Sequence, residues 1–154
     1  MKSKVKTPIV IKDEVKVIVK YRDGHTEIHF GKGKTVTDDG LDWLVNRMDS
    51  DSMNKMMYGA IGTGINTPQA SDTELQTEKM RKTFSVSTNP STGVKHWEFV
   101  IDFSELNGET LSEAGVLNEA EEGTLLLRKL LSPDLEKTSD KKATIIVEVT
   151  IARA

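Results

Sequence analysis

Several short stretches of this chain combine residue types and spacings that can do chemistry. His25, Glu27 and His29 alternate along one predicted strand. Their side chains therefore leave the same face, and two imidazoles with a carboxylate can hold zinc in that arrangement. The competing reading is a solvated hairpin face on which Glu27 pairs with Lys20 across the strands. Gly33-Lys34-Thr35 has the ending of a phosphate-binding loop, but Ile28 stands where the loop's first glycine belongs. Gly62-Thr63-Gly64 follows a short apolar run and can offer backbone N–H groups to an anion or a partner. Glycines there equally serve a sharp turn or close packing after a strand. No serine sits in a Gly-x-Ser-x-Gly elbow. Glu113 and the acidic group Glu119, Glu121 and Glu122 lack a visible acid–base partner. The chain has no cysteine, which removes thiolate nucleophiles, thiolate metal sites and disulfides together. The expectation is a protein that is not an enzyme and uses no cofactor and no resident metal.

The elements that would position these residues are mostly short strands. Val15 to Arg22 and His25 to Phe30 flank Asp23-Gly24, and a two-residue turn there sets a register of Val19 against Ile28 and Val17 against Phe30. That register gathers Val17, Val19, Tyr21, Ile28 and Phe30 on one face. A helix is predicted over Asp38 to Asp49, with Thr37 as N-cap and Asp38 and Asp39 at its positive end. Leu41, Leu44, Val45 and Met48 follow i, i+3, i+4, i+7 spacing and read as its core-facing stripe. Met56 to Ile61, Lys82 to Thr88, Lys95 to Phe103, Leu111 to Asn118, Thr124 to Leu131 and Thr144 to Ile151 read as strands. Asp72 to Lys82 is compatible with a short helix, and Ser132 to Lys142 reads as a polar loop. Trp97 alternates with core residues. Met53, Met56 and Met57 suit core filling or an adaptable contact surface. Many short strands and one helix predict a mainly β fold, an antiparallel β-sandwich or partly open barrel with one α-helix.

At 154 residues the chain suits a single domain. A domain of that size buries roughly two thirds of the surface its unfolded chain exposes, so it can fold without a staple. Residues 1–12 read as an N-terminal arm and 13–154 as one β-rich domain. In the arm, Ile9, Val10 and Ile11 are candidates to add a strand to a neighbour's sheet edge. The net charge of -3, with 29% charged residues, argues against a general nucleic-acid partner. No apolar run approaches the roughly 18 residues of a membrane span.

Ordered blocks in the second part of the chain carry a resemblance. Val36-Thr37-Asp38-Asp39-Gly40-Leu41-Asp42-Trp43-Leu44 resembles the opening helix of a family of small tailed-bacteriophage structural proteins. Ala60-Ile61-Gly62-Thr63-Gly64, followed by Pro68, Ser71-Asp72-Thr73, Leu75 and Glu78, resembles that family's most recognisable segment. Glu105-Leu106-Asn107-Gly108, Leu111-Ser112-Glu113-Ala114-Gly115-Val116-Leu117-Asn118, Gly123 to Arg128, Leu131-Ser132-Pro133 and Lys137-Thr138 continue the pattern. Their order and spacing also resemble the particle-attaching N-terminal domains of some tail-fibre proteins. The resemblance implies a virion structural protein, assembled in the host cytoplasm and working as a homo-oligomer against other tail or capsid proteins. It implies a fibre-attachment, baseplate or collar module, with capsid decoration as the alternative, and it carries no catalytic residues. Ile9, Val10, Ile11, Gly62, Thr63 and Gly64 are the candidate partner contacts. A separate reading is a carbohydrate-binding module using Trp43 or loop residues.

Overall fold

The computed structural model describes residues 7–33 and 36–154. Strands β1 (Ile9–Tyr21) and β2 (Thr26–Lys32) precede the helix α1 (Asp38–Asp49). Then follow β3 (Tyr58–Gly62), β4 (Glu78–Thr83), β5 (Val86–Thr88), β6 (Val94–Ile101), β7 (Thr110–Leu117), β8 (Leu125–Glu136) and β9 (Lys141–Arg153). All nine strands join one antiparallel sheet in the order β4-β3-β7-β8-β2-β1-β9-β6-β5. The sheet curls into a half-barrel, so of the two expected architectures the partly open barrel is the one that forms.

The curl has an identifiable cause. β4 and β5 lie at opposite edges of the sheet, yet only Phe84 and Ser85 separate them. The Phe84 N–H donates to Met57 O at 3.0 Å on one edge, and the Ser85 N–H to Glu98 O at 2.8 Å on the other. Lys82 reinforces the junction, with Nζ donating to Val100 O at 2.7 Å and to Glu105 Oε1 at 2.6 Å. A chain that switches edges within two residues holds those edges together.

Alternation along the strands fills the interior. Val15, Val17 and Val19 of β1, Trp97, Phe99 and Ile101 of β6, and Ile145, Val147 and Val149 of β9 share one buried cluster. β7 departs from alternation, because every residue from Leu111 to Leu117 is buried. Its outer face is covered by the segment between β3 and β4, where Leu75 packs with Ala60, Leu117 and Leu125 in a second cluster.

Several sequence expectations change. The first hairpin pairs Val19 with Glu27 and Val17 with His29, one residue out of the predicted register. Gly24 N donates to Tyr21 O and Tyr21 N to His25 O, which makes a three-residue turn with Gly24 at φ 96°. A one-residue slip exchanges the faces of a strand. Ile28 and Phe30 are therefore about half exposed (51% and 50%), while His29 is buried. Residues 72–82 form no helix; they belong to the covering segment and β4. The expected loop over 132–142 is mostly strand, since β8 runs to Glu136 and β9 begins at Lys141. Tertiary pairing with β7 and with β1 extends these strands through a polar sequence.

The helix bounds and cap are as expected: Thr37 Oγ1 accepts from Gly40 N at 3.0 Å. Its orientation is not. Gly40 and Trp43 face inward, and a Cβ at Gly40 would lie 2.6 Å from Leu126 O. That close approach to the β8 backbone turns Leu41, Val45 and Met48 outward, at 43%, 64% and 82% exposure, with Leu44 half buried.

Candidate functional site

The Gly62-Thr63-Gly64 stretch is held against a buried charge cluster. Glu113 in the middle of β7 is fully buried. Its Oε1 accepts from Gly64 N at 3.0 Å and Thr77 N at 2.6 Å, and its Oε2 from Gln76 N at 2.9 Å and Arg128 Nε at 2.6 Å. Arg128 Nη1 then donates to Asp72 Oδ2 at 3.2 Å. Ser112 Oγ donates to Gly64 O at 2.9 Å. A Cβ at Gly62 or at Gly64 would lie 2.6 Å from Glu113 Oε1, so both glycines are needed for close approach to this carboxylate. Four donors occupy Glu113, and the ion pair with Arg128 is closed to solvent. Such a group is a clamp for the covering segment rather than an acid–base catalyst. Gly62 and Gly64 are thus buried, and Thr63 is half buried.

Ile9, Val10 and Ile11 do not form a detached arm. They open β1 and pair with Arg153, Ala152 and Ile151 of β9. Met1 to Lys6 of the expected arm lie outside the described residues. One side of this ladder is already used within the chain, so the backbone hydrogen bonds foreseen for a neighbour go to β9 instead.

The histidines are each engaged locally. His25 stacks on Tyr21 and its Nδ1 lies 2.5 Å from Asp23 Oδ1. His29 Nδ1 lies 2.6 Å from Pro133 O, and its Nε2 lies 3.3 Å from Glu27 Oε2. The Tyr21 hydroxyl donates to Glu27 Oε1. This bond to a carboxylate pushes the tyrosine up to about 12 and holds Glu27 below its ordinary value. Glu27 thus binds Tyr21 instead of pairing with Lys20, which faces Thr26. Among the described residues no group of three or more His, Asp or Glu has metal-binding geometry. Lys34 and Thr35 lie outside the described residues, and Gly33 packs near Pro68, where a Cβ would be 2.9 Å from its ring.

His96 lies on the outer face of β6 between two carboxylates. Its Nε2 is 2.9 Å from Glu98 Oε2 and its Nδ1 is 3.0 Å from Glu148 Oε2. The hydrogen bond to Glu98, then that to Glu148, raises the imidazole above its ordinary 6.5. Lys137 is buried, and the loss of solvent pushes its ammonium down. It donates to Asn107 Oδ1 at 2.9 Å and Thr138 O at 3.0 Å, which ties the β8–β9 turn to the Leu106–Gly108 turn. Lys129 Nζ lies 2.8 Å from Asp13 Oδ1. Its ammonium also donates to Gly33 O at 3.1 Å.

A cavity of about 720 Å³ lies beside the edge-switching junction at Phe84. Trp43 of α1, Met56 and Met57 before β3, Phe84 at the edge-switching junction, Trp97 of β6 and Val149 of β9 form its apolar walls. Phe84 and Trp97 stack with ring centroids 5.3 Å apart. Trp43 is largely buried, and its indole N–H donates to Asn54 O at 2.8 Å. Sequence reasoning assigned Trp97 to the core, where it belongs. The cavity was not visible, because its walls come from segments up to about a hundred residues apart and meet only through the curl. Among the described residues no helix is long and apolar enough to cross a membrane. Comparison of the chain with protein-family models, with curated proteins and with solved structures finds no match in any of the three.

Proposed function

We propose that this chain is a non-catalytic structural module of a tailed-phage particle that docks, in several copies, onto other particle proteins. Its preferred place is the tail, in fibre attachment, baseplate or collar. The observation that carries the docking part is the outward row Leu41, Val45 and Met48 on α1. An exposed apolar row at i, i+4, i+7 is the pattern that seats in a partner's groove, and soluble surfaces otherwise keep such patches small. The phage part rests on the ordered blocks that resemble the family. Their residues converge on one architectural purpose here: Gly62, Gly64, Asp72, Leu75, Glu113 and Arg128 together fasten the covering segment to β7. The main polar clusters are occupied internally, which favours a scaffold over a reaction centre.

The test is location on purified particles carrying the chain, using a gold-labelled antibody in electron microscopy. Label at the tail is the expected result. Label spread over the head moves the protein to capsid decoration, and absence of the chain from particles overturns the reading. Val45→Glu should fold like the parent protein and enter particles at a reduced level.

A further inference from the structure

The cavity beside the Phe84 junction differs in charge from the rest of the molecule. The chain carries 24 acidic and 21 basic residues, yet among the described residues no Asp or Glu lines the cavity, and the charged ones that do are Lys55 and Lys95. Neither lysine is paired with a carboxylate among the described residues. Lys95 Nζ lies 5.9 Å from the Trp97 ring centroid and donates to Asn89 Oδ1 at 3.2 Å. Wall side chains include two methionines, whose flexible thioethers adapt to an occupant's shape.

A volume of about 720 Å³ lies inside the range of small-ligand sites. At roughly 30 Å³ per water-sized atom it has room for about two dozen heavy atoms. We propose that this cavity binds a small amphipathic anion, with an apolar body between Met56, Met57, Phe84 and Trp97 and an anionic oxygen on Lys55 and Lys95. The apolar walls supply burial. The two lysines, with no acidic neighbour in the lining, select the charge. This goes beyond the docking role proposed above and stands whether or not the chain is found on particles.

The test uses decanoate as probe, with decyltrimethylammonium as the same chain of opposite charge, both below micellar concentration. Titration calorimetry and the fluorescence of Trp97 and Trp43 report binding to the full chain. The expected result is saturable, one-to-one binding of decanoate and none of the cation. The double variant K55Q/K95Q, folded by circular dichroism, should bind decanoate at least about tenfold more weakly, a change of about 1.4 kcal/mol. Absence of saturable decanoate binding overturns the proposal. So does equal binding of both probes, or a double variant with unchanged affinity. Because both lysines are surface groups whose loss leaves the apolar walls intact, their effect separates charge recognition from misfolding.

Discussion

At the residue scale, two positions decide local geometry for different reasons. Gly24 has open space around it, but its φ of 96° is one that side chains with a Cβ adopt at a cost. Gly24→Val should therefore lower stability by roughly 1–2 kcal/mol. A thermal midpoint several degrees below the parent is expected, and an unchanged midpoint would show that the turn tolerates another form. Glu113 is the opposite case, since its carboxylate is fully buried. Glu113→Gln leaves Arg128 without its buried counter-charge and sets an amide N–H₂ against backbone donors. Breaking one partner of such a pair costs about 3 kcal/mol or more. The denaturant midpoint should fall accordingly, and amides of 62–77 should exchange faster with deuterium before global unfolding. The Gly-Thr-Gly motif was visible in the sequence, but its purpose was not. Its carboxylate partner lies some fifty residues away, in a strand with no local sign of a buried acid.

At the element scale, faces were harder to read than elements. The helix bounds and Thr37 cap were legible because capping is a local hydrogen bond. Its inward face was not, because Gly40, Trp43 and Leu44 share the same helical spacing as the aliphatic row. Contact with the β8 backbone favours the glycine side. The β6–β9 ladder makes a pH prediction. His96 faces Glu98 and Glu148, and Glu14 stands opposite Glu148 in the neighbouring ladder. Its folded value is raised above 6.5, so its contribution to stability is fully present below the unfolded value. That contribution is lost as pH rises through the raised folded value. Between about pH 5.5 and about pH 9, the parent should lose more stability than His96→Gln in urea titrations. Parallel curves for the two proteins would contradict this assignment.

At the scale of the whole molecule, the edge switch at Phe84-Ser85 turns a nine-stranded sheet into a half-barrel. Phe84 stacks on Trp97 and tilts against Phe99 at 6.1 Å, so it ties the two edges through side chains as well as backbone. Phe84→Ala should cost about 2 kcal/mol, below the range for a fully buried phenylalanine because the side chain is only partly buried. Exchange at 55–57 and 86–88 should rise together in that variant, since both flank the junction. Protection lost at only one of them would mean that the edges close independently.

Composition and period were enough to establish a β-rich chain with one capped helix, because alternation, turn residues and caps act over a few neighbours. The absence of cysteine settled disulfide and thiolate chemistry outright. Register, helix face, the lengths of β8 and β9, the buried Glu113–Arg128 pair and the cavity were decided only in the tertiary structure. Each depends on groups distant in sequence. A turn one residue longer moved Ile28 and Phe30 outward, and a glycine against a distant carbonyl rotated the helix. Two residues joining opposite edges brought together walls for a cavity that no local window of the chain contains. Local rules set what each segment can be; long-range packing chose which of its faces met the core.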